Sequence, residues 1–135
     1  MNDRHARGLL DTSVFIAAES GRPLGQEALP LASAISIVTR AELRAGVFAA
    51  ESIALRDRRL ATFEASGRFQ VLPVDEEVAR AWAQMRAYLA ASDRRVNVND
   101  AWIAATAAAH EVPVFTQDAD FEALAGVAGL TVVPV

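Results

Sequence analysis

The residues with the clearest chemical potential are acids at junctions. Asp11 closes the step Leu9-Leu10-Asp11. Glu42 lies in Thr39-Arg40-Ala41-Glu42-Leu43, behind the run Ala34-Ile35-Ser36-Ile37-Val38. Asp100 opens the apolar stretch Ala101-Trp102-Ile103-Ala104-Ala105-Thr106-Ala107, and Asp118 follows Val112-Pro113-Val114-Phe115-Thr116. Each stands where an apolar stretch or strand hands over to the next element. Carboxylates gathered in one place repel one another unless positive charge is placed among them. A divalent cation supplies that charge. The chain has no cysteine and only His5 and His110, so disulfides and thiolate zinc are excluded and a histidine zinc site has too few ligands. The metal chemistry left is that of oxygen ligands, which favours magnesium or manganese.

For these acids to act together, the elements between them must bring them to one edge. The pattern predicts a short buried strand over Gly8–Asp11, a helix over Ser13–Glu19, and a second strand over Ala34–Val38. Thr39–Ala50 and Ile53–Ser66 read as a helical pair, stopped by Gly67. Phe69–Val74 reads as a strand. Val78, Trp82, Met85 and Leu89 recur at helical spacing on a long helix over Asp75–Ala91. Asp100–His110 is the most apolar helix, its alanines suited to close packing on a sheet. Val112–Thr116, a helical turn over Phe121–Leu124, and a strand over Leu130–Val133 complete the order. Strands alternating with helices imply an α/β fold, with a central parallel sheet of about five strands covered on both faces. In such a sheet ligands bind beyond the carboxyl ends of the strands, where all of these acids fall or could be brought.

Length and composition set the frame. The 135 residues fit one domain, here read as 1–135 with a polar N-terminal tail over 1–7. Hydrophobic residues make up 53% and charged residues 22%, the composition of a globular chain. The net charge of −4 argues against a protein that coats nucleic acid, but not against an enzyme whose metals neutralise its own acids. All of the basic residues are arginine. No stretch reaches the length of a membrane span, and the start lacks a signal-peptide apolar region, so a soluble cytoplasmic protein is expected.

Each acid also has an ordinary explanation. Thr39-x-x-Glu42 fits a capping box. Asp11 could cap the helix that follows it. Asp100 in a first helical turn complements the macrodipole. Asp118 or Asp120 could cap the short final helix. Capping does not require every such residue to be acidic, since serine, threonine and asparagine serve as well, and that favours a joint role.

Four segments carry a resemblance. In order they are Leu9-Leu10-Asp11-Thr12-Ser13; Thr39-Arg40-Ala41-Glu42-Leu43-Arg44-Ala45-Gly46; Asn99-Asp100-Ala101-Trp102-Ile103-Ala104-Ala105-Thr106-Ala107; and Thr116-Gln117-Asp118-Ala119-Asp120-Phe121. This series resembles the motifs of PIN domains, most closely the VapC-type toxins of bacterial toxin–antitoxin pairs, over nearly the whole chain. The resemblance implies a PIN-like fold and a Mg2+-dependent (or Mn2+-dependent) endoribonuclease. It would hydrolyse RNA phosphodiester bonds with metal-activated water and be neutralised by a cognate VapB-type antitoxin. It also suggests a homodimer that pairs with antitoxin. Asp11, Glu42, Asp100 and Asp118 match the family's acids, as both metal ligands and catalytic residues. Thr116 matches the polar residue beside the metal, and Thr12 and Ser13 match the hydroxyl pair after the first acid. Asp120 stands close enough to share or exchange the role of Asp118.

Substrate contacts are expected from arginines near the acidic edge: Arg40 and Arg44 beside Glu42, and Arg94 and Arg95 before Asp100. Trp82 and Met85 read as core, as does Trp102, which could alternatively stack on a base. Two other readings stand beside the toxin. One is a PIN-like nuclease of RNA processing without an antitoxin. The other is a non-catalytic Mg2+-binding module, against which the lack of lysine counts.

Overall fold

The computed structural model describes residues 4–25 and 28–135. Residues 1–3 of the expected tail lie outside them. The elements run β1 (Arg7–Leu10), α1 (Thr12–Ser20), β2 (Ala32–Ser36), α2 (Ile37–Ala49), α3 (Ile53–Ser66), β3 (Gln70–Leu72), α4 (Glu76–Ala91), α5 (Val98–Ala109), β4 (Val114–Thr116), a 3-10 helix (Ala119–Leu124), a shorter one (Val127–Gly129) and β5 (Val132–Pro134). The strands form one five-stranded sheet in the order β3-β2-β1-β4-β5, with every pairing parallel. The chain builds outward from β1 to β3, then returns to start β4 on the other side of β1. Strand order therefore reverses between β1 and β4, and a crevice opens there beyond the carboxyl ends.

The sheet is buried on both faces because successive side chains alternate. On β1, Leu9 enters the core under α4 and α5 with Val114, Met85 and Ile103. Its neighbour Leu10 enters the opposite core under α1, α2 and α3 with Phe115, Ile35 and Phe63. The alanines of α5 do what their size permits: Ala101, Ala104, Ala105, Ala107 and Ala108 are all buried. Gly8 is fixed by contact, since a Cβ there would lie 2.2 Å from Phe115 Cε1 and 2.9 Å from Pro30 Cγ.

Several boundaries differ from the sequence expectation, each for a local reason. Arg7 belongs to β1, and the preceding residues are tied down by Leu31 N donating to His5 O and Ala32 N to Ala6 O. Residues 4–7 are thus not a free tail. The second strand ends at Ser36, because its hydroxyl accepts from Val38 N and starts α2 two residues before the expected place. Asn97 likewise caps α5 by accepting from Asn99 N, so the helix begins at Val98 and Asp100 is its third residue. Prolines trim two strands: Pro73 follows β3 and Pro113 precedes β4, where each lacks the N–H a ladder needs. The final helical turn starts earlier, at Ala119, and β5 begins later, at Val132. Gly21 ends α1 in the left-handed conformation, with φ of 75°.

Candidate metal centre

Asp11 follows β1 directly, so its side chain enters the crevice at the switch point. It is only 2% exposed. It caps α1, its Oδ1 accepting from Ser13 N at 3.3 Å. The capping explanation therefore holds at this position, but it uses one carboxylate oxygen only. Oδ2 accepts from Ser13 Oγ at 2.6 Å and from Thr116 Oγ1. Thr116 ends β4, so this second contact spans the crevice. The two hydroxyls also lie 3.2 Å apart, and Gln117 N donates to Ser13 Oγ at 2.9 Å. Burial raises the Asp11 carboxyl above its usual range. The hydrogen bonds from Ser13 and Thr116 oppose that rise, and the charge of Asp118 adds to it.

Asp100 reaches the same place from the N-terminal turn of α5. Its pKa is pushed up to about 7, first by burial and then by the charges of Asp11, Asp118, Glu42 and Asp120. The dependence on those neighbours is the clearest sign that the fold assembles the acids. Asp11, Glu42, Asp118 and Asp120 all bear electrostatically on Asp100, though these acids, with Asp100 itself, come from four separate segments of the chain. Asp118 caps the 3-10 helix, accepting from Asp120 N at 2.9 Å, while its own N–H donates to Thr116 Oγ1 at 2.8 Å. Both Asp118 and Asp120 are close enough to influence Asp100, and Asp118 is the less exposed of the two.

Glu42 departs from its expected local role. Thr39 is not the cap of α2, since Ser36 is, so Thr39 and Glu42 form no capping box. Thr39 is instead fully buried inside the first turns of the helix. Glu42 Oε1 accepts from Thr12 Oγ1 at 2.7 Å, and Asn99 Nδ2 approaches Oε2 at 3.4 Å. A cavity of about 510 Å³ opens beside it, lined by Val38, Ala41, Glu42, Ala45 and Asn99. Asn99 was missed as a contributor. Its only signal in the sequence was its position immediately before Asp100.

The donor set suits a hard divalent cation. It consists of carboxylates flanked by hydroxyls, on one crevice, with burial and mutual repulsion left uncompensated at Asp100. Among the described residues, no three His, Asp or Glu side chains stand in closed ligand geometry. The arrangement is a concentrated negative field rather than a finished cage.

The expected arginines separate into two groups. Arg40 Nη1 donates to Phe63 O at 2.6 Å and Ser66 Oγ at 2.9 Å, and its guanidinium lies 3.8 Å from the Phe63 ring centroid. Arg44 also lies over Phe63, at 4.6 Å. Both fasten α2 to α3 rather than facing the crevice. Arg94 and Arg95 are exposed in the loop before α5. Trp102 stacks on Trp82, with centroids 4.5 Å apart and planes 9° from parallel, so it packs between α5 and α4.

Comparison with known proteins agrees with this architecture. The PIN domain family model matches residues 8–127. Ribonuclease VapC5 of Mycobacterium tuberculosis is 51% identical over 135 residues, covering 100% of both chains. Ribonuclease VapC4 of the same organism is 42% identical over 126 residues, covering 93% of this chain and 97% of its own. Among solved structures, VapBC-5 of Mycobacterium tuberculosis, a member of the VapBC family of toxin–antitoxin systems, superposes with a TM-score of 0.90 at 49% identity. That match covers 96% of this chain and 99% of the other. The chain belongs to the PIN-domain family and is a relative of the VapC ribonucleases.

Proposed function

We propose that this protein is the ribonuclease toxin of a VapBC-type toxin–antitoxin pair and that it cleaves RNA with the help of Mg2+ or Mn2+. The observation that carries the reading is the placement of Asp100, half-buried at the start of α5 and loaded by the charges of Asp11, Asp118, Glu42 and Asp120. A helix cap has no need of four further acids bearing on one carboxylate. The full-length likeness to a protein named a ribonuclease and to one solved in a toxin–antitoxin system supports the same reading.

Asp11 and Asp100 would hold the cation, with Glu42 and Asp118 completing its surroundings directly or through water. A divalent cation supplies Lewis acidity toward a phosphoryl oxygen and makes bound water easier to deprotonate. The protein does the rest by position. Ser13 and Thr116 fix Oδ2 of Asp11 and Ser13 N–H reaches Oδ1 at 3.3 Å, so a cation would use a remaining lone pair of this held carboxylate together with Asp100. Loading the site requires Asp100 to release the proton that its raised pKa retains near neutrality. The acids would repel an RNA phosphate until their charge is balanced, so substrate and cation should bind together. Arg94 and Arg95, exposed in the loop before α5, would meet the phosphate backbone.

Exposed apolar side chains support a protein partner. Phe48 is 73% and Ile53 81% exposed, near the α2–α3 turn. On these helices and α1, a cavity of about 190 Å³ is lined by Ile16, Glu19, Glu42, Leu43, Gly46 and Arg59. An antitoxin segment covering this face would end beside an essential acid.

The test is cleavage of bulk RNA by purified protein with Mg2+, with EDTA, and by Asp100→Asn. Cleavage is expected only with the metal and the wild-type acid. RNA cutting that survives both EDTA and Asp100→Asn would overturn the reading.

A further inference from the structure

Glu42 is held on both oxygens by residues of two other helices. Thr12, the first residue of α1, donates to Oε1 at 2.7 Å, and Asn99, the second residue of α5, reaches Oε2 at 3.4 Å. Behind Thr12 stands Thr39, one turn before Glu42 on α2, with the two hydroxyl oxygens 3.0 Å apart. A hydroxyl has one proton, and an ionised carboxylate can only accept. Thr12 is the donor in both contacts, so its single proton is shared between Glu42 Oε1, at the shorter distance, and Thr39 Oγ1. Thr39 thus anchors the Thr12 hydroxyl from behind, while the 2.7 Å contact directs it at Glu42.

These hydroxyls have no other structural duty. Asp11 caps α1 and Ser36 caps α2. Thr12 is 7% exposed and Thr39 fully buried, so both polar groups were desolvated to reach this arrangement. Glutamate is long and flexible, and Glu42 is only half-buried. It is among the acids that repel Asp100. Without donors it would rotate away from that repulsion toward water.

We propose that Thr12, backed by Thr39 and joined by Asn99, is a positioning residue that holds the Glu42 carboxylate in the orientation the acidic site uses. This rests on the reading of that site as a cation-binding centre for RNA cleavage. Thr12 touches neither substrate nor cation in this scheme and acts only through Glu42.

The experiment compares Thr12→Val, Thr12→Ser, Glu42→Gln and the Thr12→Val/Glu42→Gln double variant. Two quantities are read: kcat and KM for RNA cleavage, and affinity for Mg2+ alone by calorimetric titration. Thr12→Val should lower kcat or Mg2+ affinity by about 10- to 100-fold, the range for partners that orient metal ligands, with KM for RNA little changed. Thr12→Ser keeps the donor and should restore most of the loss. In the Glu42→Gln background, Thr12→Val should have no further effect on Mg2+ affinity. Should Thr12→Val not fold, Asn99→Ala replaces it, because Asn99 is exposed and is not the helix cap. Its smaller loss should likewise vanish in the Glu42→Gln background. Wild-type kcat and Mg2+ affinity in folded Thr12→Val, or a loss of equal size with and without Glu42, would overturn the proposal alone. A wild-type protein that neither binds Mg2+ nor cleaves RNA would overturn the underlying reading and the proposal with it.

Discussion

The hydroxyl of Thr116 donates to Oδ2 of Asp11, joining the carboxyl end of β4 to that of β1 across the point where strand order reverses. Both residues are 2% exposed. The bond therefore fixes the central acid of the site and closes the crevice at its base. Thr116→Val removes a donor while keeping the shape, and it leaves a buried carboxylate less satisfied. A loss of about 1–3 kcal/mol in unfolding free energy is expected, measured in urea, with Thr116→Ser close to wild type. An unchanged midpoint for Thr116→Val would mean that the hydroxyl is dispensable to the fold.

The raised pKa of Asp100, about 7 in the folded state against an ordinary 3.8, sets a pH dependence for the metal-free protein. Between these values the folded state binds more protons than the unfolded one. Stability is therefore fully present below about pH 4 as far as this group is concerned, and it declines as pH rises through 7. Asp11, also raised, acts in the same direction. In EDTA, the melting temperature of wild type should fall between pH 5 and pH 8 more steeply than that of Asp100→Asn, and the variant should be the more stable at pH 8. Equal slopes would remove Asp100 as the source.

Mg2+ should reverse that penalty. A ligand that binds only the folded state at 100 times its Kd stabilises by about 2.7 kcal/mol. Thermal melts at pH 8 with and without Mg2+ should show an upward shift in wild type that is absent in Asp11→Asn and Asp100→Asn. A shift retained in both variants would place the ion elsewhere.

Arg40 and Arg94 should behave differently when replaced. Arg40→Ala loses two hydrogen bonds and a ring contact between α2 and α3, so its main effect is on stability, about 1–3 kcal/mol. Arg94→Ala sits in an exposed loop and should leave stability nearly unchanged. It should raise KM for RNA and reduce the salt dependence of binding by about one unit of slope. The reverse pattern would exchange their roles.

Gly8→Ala tests the packing beneath the site. Its Cβ would meet Phe115 Cε1 at 2.2 Å, forcing apart the strands that carry Asp11 and Thr116. A cost of about 1–3 kcal/mol is expected from overpacking, read as a lower denaturation midpoint. A stable variant would show that Phe115 can turn aside freely.

How much of this was legible beforehand can be judged residue by residue. Asp11 and Asp118 could be found from the chain alone because they stand at strand-to-helix junctions, and Asp100 because it opens an apolar helix, and such boundaries follow from local periodicity. The fold class followed for the same reason, since alternating strands and helices leave a parallel sheet as the arrangement that buries both faces. The sequence also bounds the chemistry of the proposed metal, because a chain without cysteine and with two histidines would offer it chiefly oxygen.

Tertiary structure decided the rest. Thr39 and Glu42 match a capping box by spacing, yet Ser36 captured the helix start, and the buried Thr39 turned to Thr12 instead. Arg40, next to an acid in sequence, found the Phe63 carbonyl and Ser66 on the neighbouring helix. The partners of Glu42 lie 30 and 57 residues away from it. No local pattern encodes such pairs. They exist because β1 is central in the sheet, so that the helices following β1 and β2, and the one preceding β4, all start at the same edge.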